Sequence, residues 1–91
     1  MNDYDIIAIF DNGGKSIDRY TIVFATSLNA DEGYDYHDML ALGDDVTSPQ
    51  GFSQWCEGTY HLAGDNSHLG KQIDWSILPE SHREHIKQKI A

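Results

Sequence analysis

The sequence predicts one small α+β domain, an antiparallel sheet of four or five strands with a C-terminal α-helix packed on it. Three features predict it. Two β-branched and aromatic runs are joined by an Asn-Gly-Gly turn, and a stripe of apolar residues at helical spacing closes the chain. Aromatic residues make up 11% of the sequence, which gives a small core large, flat packing units and argues against disorder.

Residues 4–10 (YDIIAIF) have a continuous apolar centre and read as a buried strand. In the next six residues, Asn12-Gly13 and Gly13-Gly14 supply positive φ at little cost, so a turn follows. Residues 19–26 (RYTIVFAT) read as the returning strand of a hairpin. Residues 27–36 are polar, acidic and broken by Gly33, which predicts a loop. Residues 37–42 (HDMLAL) read as a third strand, although their composition also permits a helical turn. Residues 43–50, with Pro49, read as a loop, and residues 52–56 (FSQWC) as a short strand. Gly58, Gly64 and Gly70 punctuate a predicted loop over 58–70, and residues 71–75 place Ile73 and Trp75 on one face of a last strand.

The helix has the clearest signals. Pro79 suits the first helical position, where its missing N–H costs nothing. Glu80 in the first turn and Lys87 and Lys89 in the last complement the helix dipole. Leu78, His82, Ile86 and Ile90 form a stripe of period four.

The 91 residues are enough for a single domain (1–91) and too few for two. No run approaches the roughly 20 apolar residues of a membrane span. The opening residues lack the basic start and apolar run of a secretory signal, so the expected location is the cytoplasm. Cys56 is the single cysteine and has no partner for an internal disulfide.

Charge is the most informative property. Fifteen Asp and Glu against six Lys and Arg leave a net charge of −9. Residues 20–70 contain no Lys or Arg, yet hold Asp31, Glu32, Asp35, Asp38, Asp44, Asp45, Glu57 and Asp65. Such a field repels nucleic acid and anionic membranes and attracts basic surfaces. These eight carboxylates are the candidate partner-binding residues, provided they form one exposed face. The bland reading is solubility alone.

The other chemical signals are weaker. Gly14-Lys15-Ser16 evokes a phosphate loop, but position 9 is Ile where that motif needs Gly, and a strand rather than a helix follows. Five histidines are present without CxxC or HExxH spacing, so no metal is expected. Cys56 beside Trp55 reads as a buried structural thiol rather than a nucleophile. No triad, paired-carboxylate or cofactor fingerprint stands out, and no cofactor or enzymatic activity is expected. The Gly-punctuated segment 49–71 offers Ser53, His61, His68 and Lys71 as the lining of an alternative small-ligand or nucleotide pocket.

The segments DNGGKSIDRYTIVF, LALGDD, SPQGFSQW and HLGKQIDWSILPESHREHI cover most of the chain. Together they resemble a group of small proteins of bacteriophages and other mobile elements. Asn12 to Lys15, Asp18 to Thr21, Pro49 to Gly51 with Ser53, and His68 to Lys71 match the pattern of that group. Here the acidic loop between Leu28 and Tyr36 is longer than is usual. The resemblance transfers no catalytic residue. It implies a context in which small acidic proteins inhibit host defence complexes, as anti-CRISPR proteins do, and this step is one of analogy. The expected function is therefore a non-enzymatic interaction protein that occupies a basic surface of a host nucleic-acid-binding complex.

Overall fold

A computed structural model describes residues 5–28, 36–45, 52–62 and 64–91. The expected class is present: a five-stranded antiparallel sheet and one C-terminal α-helix. The strands are β1 (Ile6–Asp11), β2 (Tyr20–Leu28), β3 (Tyr36–Leu42), β4 (Ser53–Thr59) and β5 (Lys71–Gln72), and the helix is α1 (Glu80–Ile90). The sheet order is β4-β3-β2-β1-β5.

The first four strands form a meander in which each pairs with the next. Its first turn is built by side chains. The Asn12 carboxamide oxygen accepts from the amides of Gly14 and Lys15, and Asp11 Oδ1 accepts from that of Gly13. Gly13 and Gly14 have φ of 76° and 86°, the left-handed conformation that glycine adopts without a Cβ penalty.

Two irregularities decide which side chains face which way. A bulge between Ile6 and Ala8 turns Ile6 and Ile9 to one face and Ala8 and Phe10 to the other. A second irregularity separates the Val23 and Ser27 pairings of β2. Beside it, the buried His37 meets the Phe24 carbonyl through Nδ1 at 2.8 Å. A carbonyl only accepts, so this ring nitrogen carries the proton.

Both faces of the sheet are covered by the last third of the chain. β4 and β5 lie on opposite edges, and the described residues between Tyr60 and Gly70 lie on the path from one to the other. They cross the face of Ala8, Phe10, Val23 and Met39, into which Tyr60 and Leu69 pack. Tyr60 stands at 87° to the ring of His37 and 6.0 Å from that of Phe10. The chain then returns over the opposite face. Ile73, Trp75, Leu78, Ile86 and Ile90 close a core of Ile9, Tyr20, Ile22, Phe24, Leu40, Leu42 and Phe52.

Several boundaries differ from expectation: β2 runs to Leu28 and β3 begins at Tyr36, so both enter the loop expected over 27–36. β4 runs through Gly58 to Thr59, beyond the expected end at residue 56. β5 stops after two residues, and Trp75–Ile77 form a 3-10 turn. Ile73 and Trp75 nevertheless reach the same core, as expected of one face. Pro79, with φ −56° and ψ 148°, stands one position before the helix as its N-cap and not inside it. Its carbonyl accepts from the amides of His82 and Arg83, and the Arg83 guanidinium binds the Leu78 carbonyl at 2.9 Å.

His82 fixes the helix to the sheet. It is 2% exposed, sits edge-on between Tyr20 (5.0 Å) and Phe52 (4.9 Å), and donates from Nε2 to the Gly43 carbonyl at 2.9 Å. One turn on, His85 stands edge-on to Phe52 at 4.7 Å and meets Ser53 Oγ at 2.7 Å.

Candidate functional site

The strand register brings two of the eight candidate carboxylates together. Asp38 of β3 lies directly opposite Glu57 of β4, and Leu40 lies opposite Trp55. Side chains at such positions share a face, with Cβ atoms about 5 Å apart. Asp38, Trp55, Cys56 and Glu57 line a shallow hollow of about 320 Å³ on the outer strands of the sheet. The Trp55 ring rests 5.5 Å from that of Phe24 yet is 42% exposed, and Tyr36, opposite Thr59, is 37% exposed.

The remaining described carboxylates stand elsewhere. Asp44 and Asp45 follow the far end of β3, and Asp44 accepts from Arg19 Nη1 at 3.1 Å. Asp65 lies on the segment crossing the opposite face, where it accepts from the Ser67 amide at 2.9 Å and the Ser67 hydroxyl at 3.1 Å. Those bonds hold its carboxyl below the usual range. Asp31, Glu32 and Asp35 lie outside the described residues. The expected single acidic face is thus divided among the described residues, because β-register and the crossover send neighbouring charges to different sides. The Asp38–Glu57 pair is its coherent part.

The alternative pocket is divided as well. Ser53 is held by His85 at the start of β4. His61 and His68 sit together on the crossover with rings 6.1 Å apart, and His68 Nε2 donates to the Thr59 carbonyl at 2.9 Å. Lys71 opens β5 on the far edge, away from Ser53. It lines a different cleft with Asp11, Asn12, Gly13, Lys15, Ser67 and Gly70.

This corner brings the β1–β2 turn, from Asp11 to Lys15, beside Ser67, Gly70 and Lys71. Arg19 binds Asp11 through both its Nε (2.9 Å) and Nη2 (3.2 Å), and its guanidinium lies 5.1 Å from the Tyr20 ring centre. The guanidinium holds the Asp11 carboxyl below the usual range. Sequence reasoning missed this grouping, since nothing in local spacing shows that β5 returns beside β1.

The chemistry of the other candidates is conservative. Burial, with Asp18 and Glu57 nearby, pushes the Cys56 thiol up, which opposes nucleophilic activation. Among the described residues, no three His, Cys, Asp or Glu side chains converge as metal ligands. Among them, too, no helix is long and apolar enough to cross a membrane.

Burial pushes the His85 imidazole down, reinforced by Lys89 and His82. Its folded pKa therefore lies below the unfolded value near 6.5, and the unfolded chain binds the extra proton between the two. The contribution is complete above the unfolded pKa and is lost as pH falls towards the folded one. Urea unfolding at pH 8.0 and pH 5.5 is expected to show a smaller acid-induced loss in His85→Gln than in the parent. Equal losses would remove His85 from the acid response.

Comparison with known proteins finds no family model that matches this chain, and no curated protein or solved structure similar to it.

Proposed function

We propose that this chain is a non-enzymatic interaction protein whose β3–β4 surface receives a cationic side chain from a basic partner. The observation that carries the reading is the placement of Asp38 opposite Glu57 beside the exposed ring of Trp55. Like charges directly opposite in a sheet destabilise it by roughly 0.2–1 kcal/mol. A cation set between them relieves that repulsion, so partner binding recovers what folding gives up. An aromatic face adds about 0.5–2 kcal/mol of cation–π attraction for a guanidinium. β4 is an edge strand of the described sheet, open to a docking surface on its outer side.

The partner that fits this chemistry is an arginine-rich groove built for nucleic-acid phosphates, such as that of a host defence complex in the cytoplasm. The net charge of −9 would speed association with such a groove, and salt would weaken it.

The test separates folding from binding. Asp38→Asn/Glu57→Gln is expected to raise the unfolding free energy by about 0.5 kcal/mol. The same change is expected to weaken capture of an arginine-rich peptide about tenfold, or 1.4 kcal/mol. Fluorescence anisotropy with that peptide, at low and high salt, reads the second effect. Binding that is equal in parent and variant, or indifferent to salt, would overturn the reading.

A further inference from the structure

The chain holds fifteen carboxylates and six cations, so each lysine and arginine has abundant potential partners. Arg19 is paired with Asp11 and Asp44, Lys87 with Glu84, and Arg83 binds the Ser76 and Leu78 carbonyls. The ammonium groups of Lys15, Lys71 and Lys89 make no ion pair or hydrogen bond among the described residues, and that of Lys71 adds only its field to Asp11. Lys15 and Lys71 line the same cleft, of about 450 Å³, between the β1–β2 turn and the start of β5.

That cleft is fixed in shape. The Asn12 carboxamide holds the turn through two amides and also donates to Ser16 Oγ and the Asp18 carbonyl. Gly70 brings β5 so close that a Cβ there would stand 2.5 Å from the Asp11 carbonyl oxygen, which sets the position of Lys71 relative to the turn. At Gly13 the position of a Cβ is open, with nothing within 4 Å, so a ligand has room to approach the wall. The cleft's one carboxylate, Asp11, is already engaged by Arg19 through both oxygens.

We propose that this cleft is a binding site for a phosphate group, held between the ammonium groups of Lys15 and Lys71. Two ammonium groups that line one polar cleft, and that no carboxylate among the described residues binds directly, are matched by a compact dianion. The two carboxylates nearby are both engaged, Asp11 by the Arg19 guanidinium and Asp65 by the Ser67 amide and hydroxyl. The site is on the opposite side of the sheet order from the Asp38–Glu57 pair and does not depend on that reading.

The experiment is an amide-resolved NMR titration of the full chain with inorganic phosphate, adenosine monophosphate and adenosine, each against sodium chloride of equal ionic strength. Saturable shifts confined to the amides of residues 13–15 and 67–71 are expected with a phosphate-bearing probe, and none with adenosine. Saturation with inorganic phosphate identifies the free ion as sufficient, and saturation with the nucleotide alone identifies a nucleotide phosphate. Lys15→Gln/Lys71→Gln, at two exposed positions, is expected to leave the remaining spectrum unchanged and weaken binding at least tenfold. The proposal is overturned by the absence of saturable shifts, by equal shifts with sodium chloride or adenosine, or by equal affinity in the double variant.

Discussion

Gly70→Ala is expected to destabilise the protein by about 3 kcal/mol, a large fraction of the roughly 5–14 kcal/mol available to a domain of this length. Two independent causes act at this position. Gly70 has φ 110° and ψ −153°, a backbone region that is essentially closed to residues with a side chain. The added Cβ would also stand 2.5 Å from the Asp11 carbonyl oxygen and 2.8 Å from the Asn12 backbone. Neither neighbour can move aside, since Asp11 pairs with Lys71 on one side and Tyr20 on the other. The variant escapes the clash only by lifting β5 from β1, which detaches Ile73 from the Ile9 carbonyl it now binds at 2.8 Å. Thermal unfolding should show a midpoint lower by about 12–24 °C, at 4–8 °C per kcal/mol for this size. A midpoint within about 2 °C of the parent would mean that β5 is not held against β1 in solution.

Ile86→Ala should lower stability by about 2–5 kcal/mol, the usual range for emptying a closed site in a core. Ile86 is 0% exposed and packs with Ile22, Leu40, Leu42 and Leu78. Its helix has few other anchors in the sheet, chiefly the His82 bond to Gly43 and the His85 contact with Ser53. Ile86→Val removes a single methylene and serves as the graded control, at about 1 kcal/mol. Chemical denaturation of the three proteins would show the midpoints in the order parent, Val, Ala. A helix that docks only loosely would give three nearly coincident curves.

Much of this fold was legible in the chain, for identifiable reasons. The hairpin was readable because Asn12, Gly13 and Gly14 have few conformational alternatives. The helix stripe was readable because Leu78, His82, Ile86 and Ile90 do face one core. The continuation of β4 was hidden by Gly58, which reads locally as a breaker. In the fold, the Met39 sulfur stands 2.9 Å from where a Gly58 Cβ would be, so the glycine makes room for a cross-strand neighbour. The shortness of β5 was hidden because Ile73 and Trp75 satisfy the same core from a strand or from a turn.

The candidate site was legible in charge and not in arrangement. Composition shows that residues 20–70 are acidic and without Lys or Arg. It does not show that Asp38 meets Glu57 while Asp65 is carried to another face. That depends on a pairing register and on a crossover, both set by contacts distant in sequence. Trp55 drew notice only as the neighbour of Cys56, although the strand turns the two side chains in opposite directions.

The path of the final third has a consequence for synthesis. When a nascent chain has left the ribosome only as far as Thr59, its four-strand meander is complete but bare on both sides. The segment that covers one side and the helix that covers the other arrive last. The meander should therefore become stable only once the segment after Thr59 and the helix have emerged to cover it. Until then, its unshielded β-strands would be a natural substrate for a chaperone.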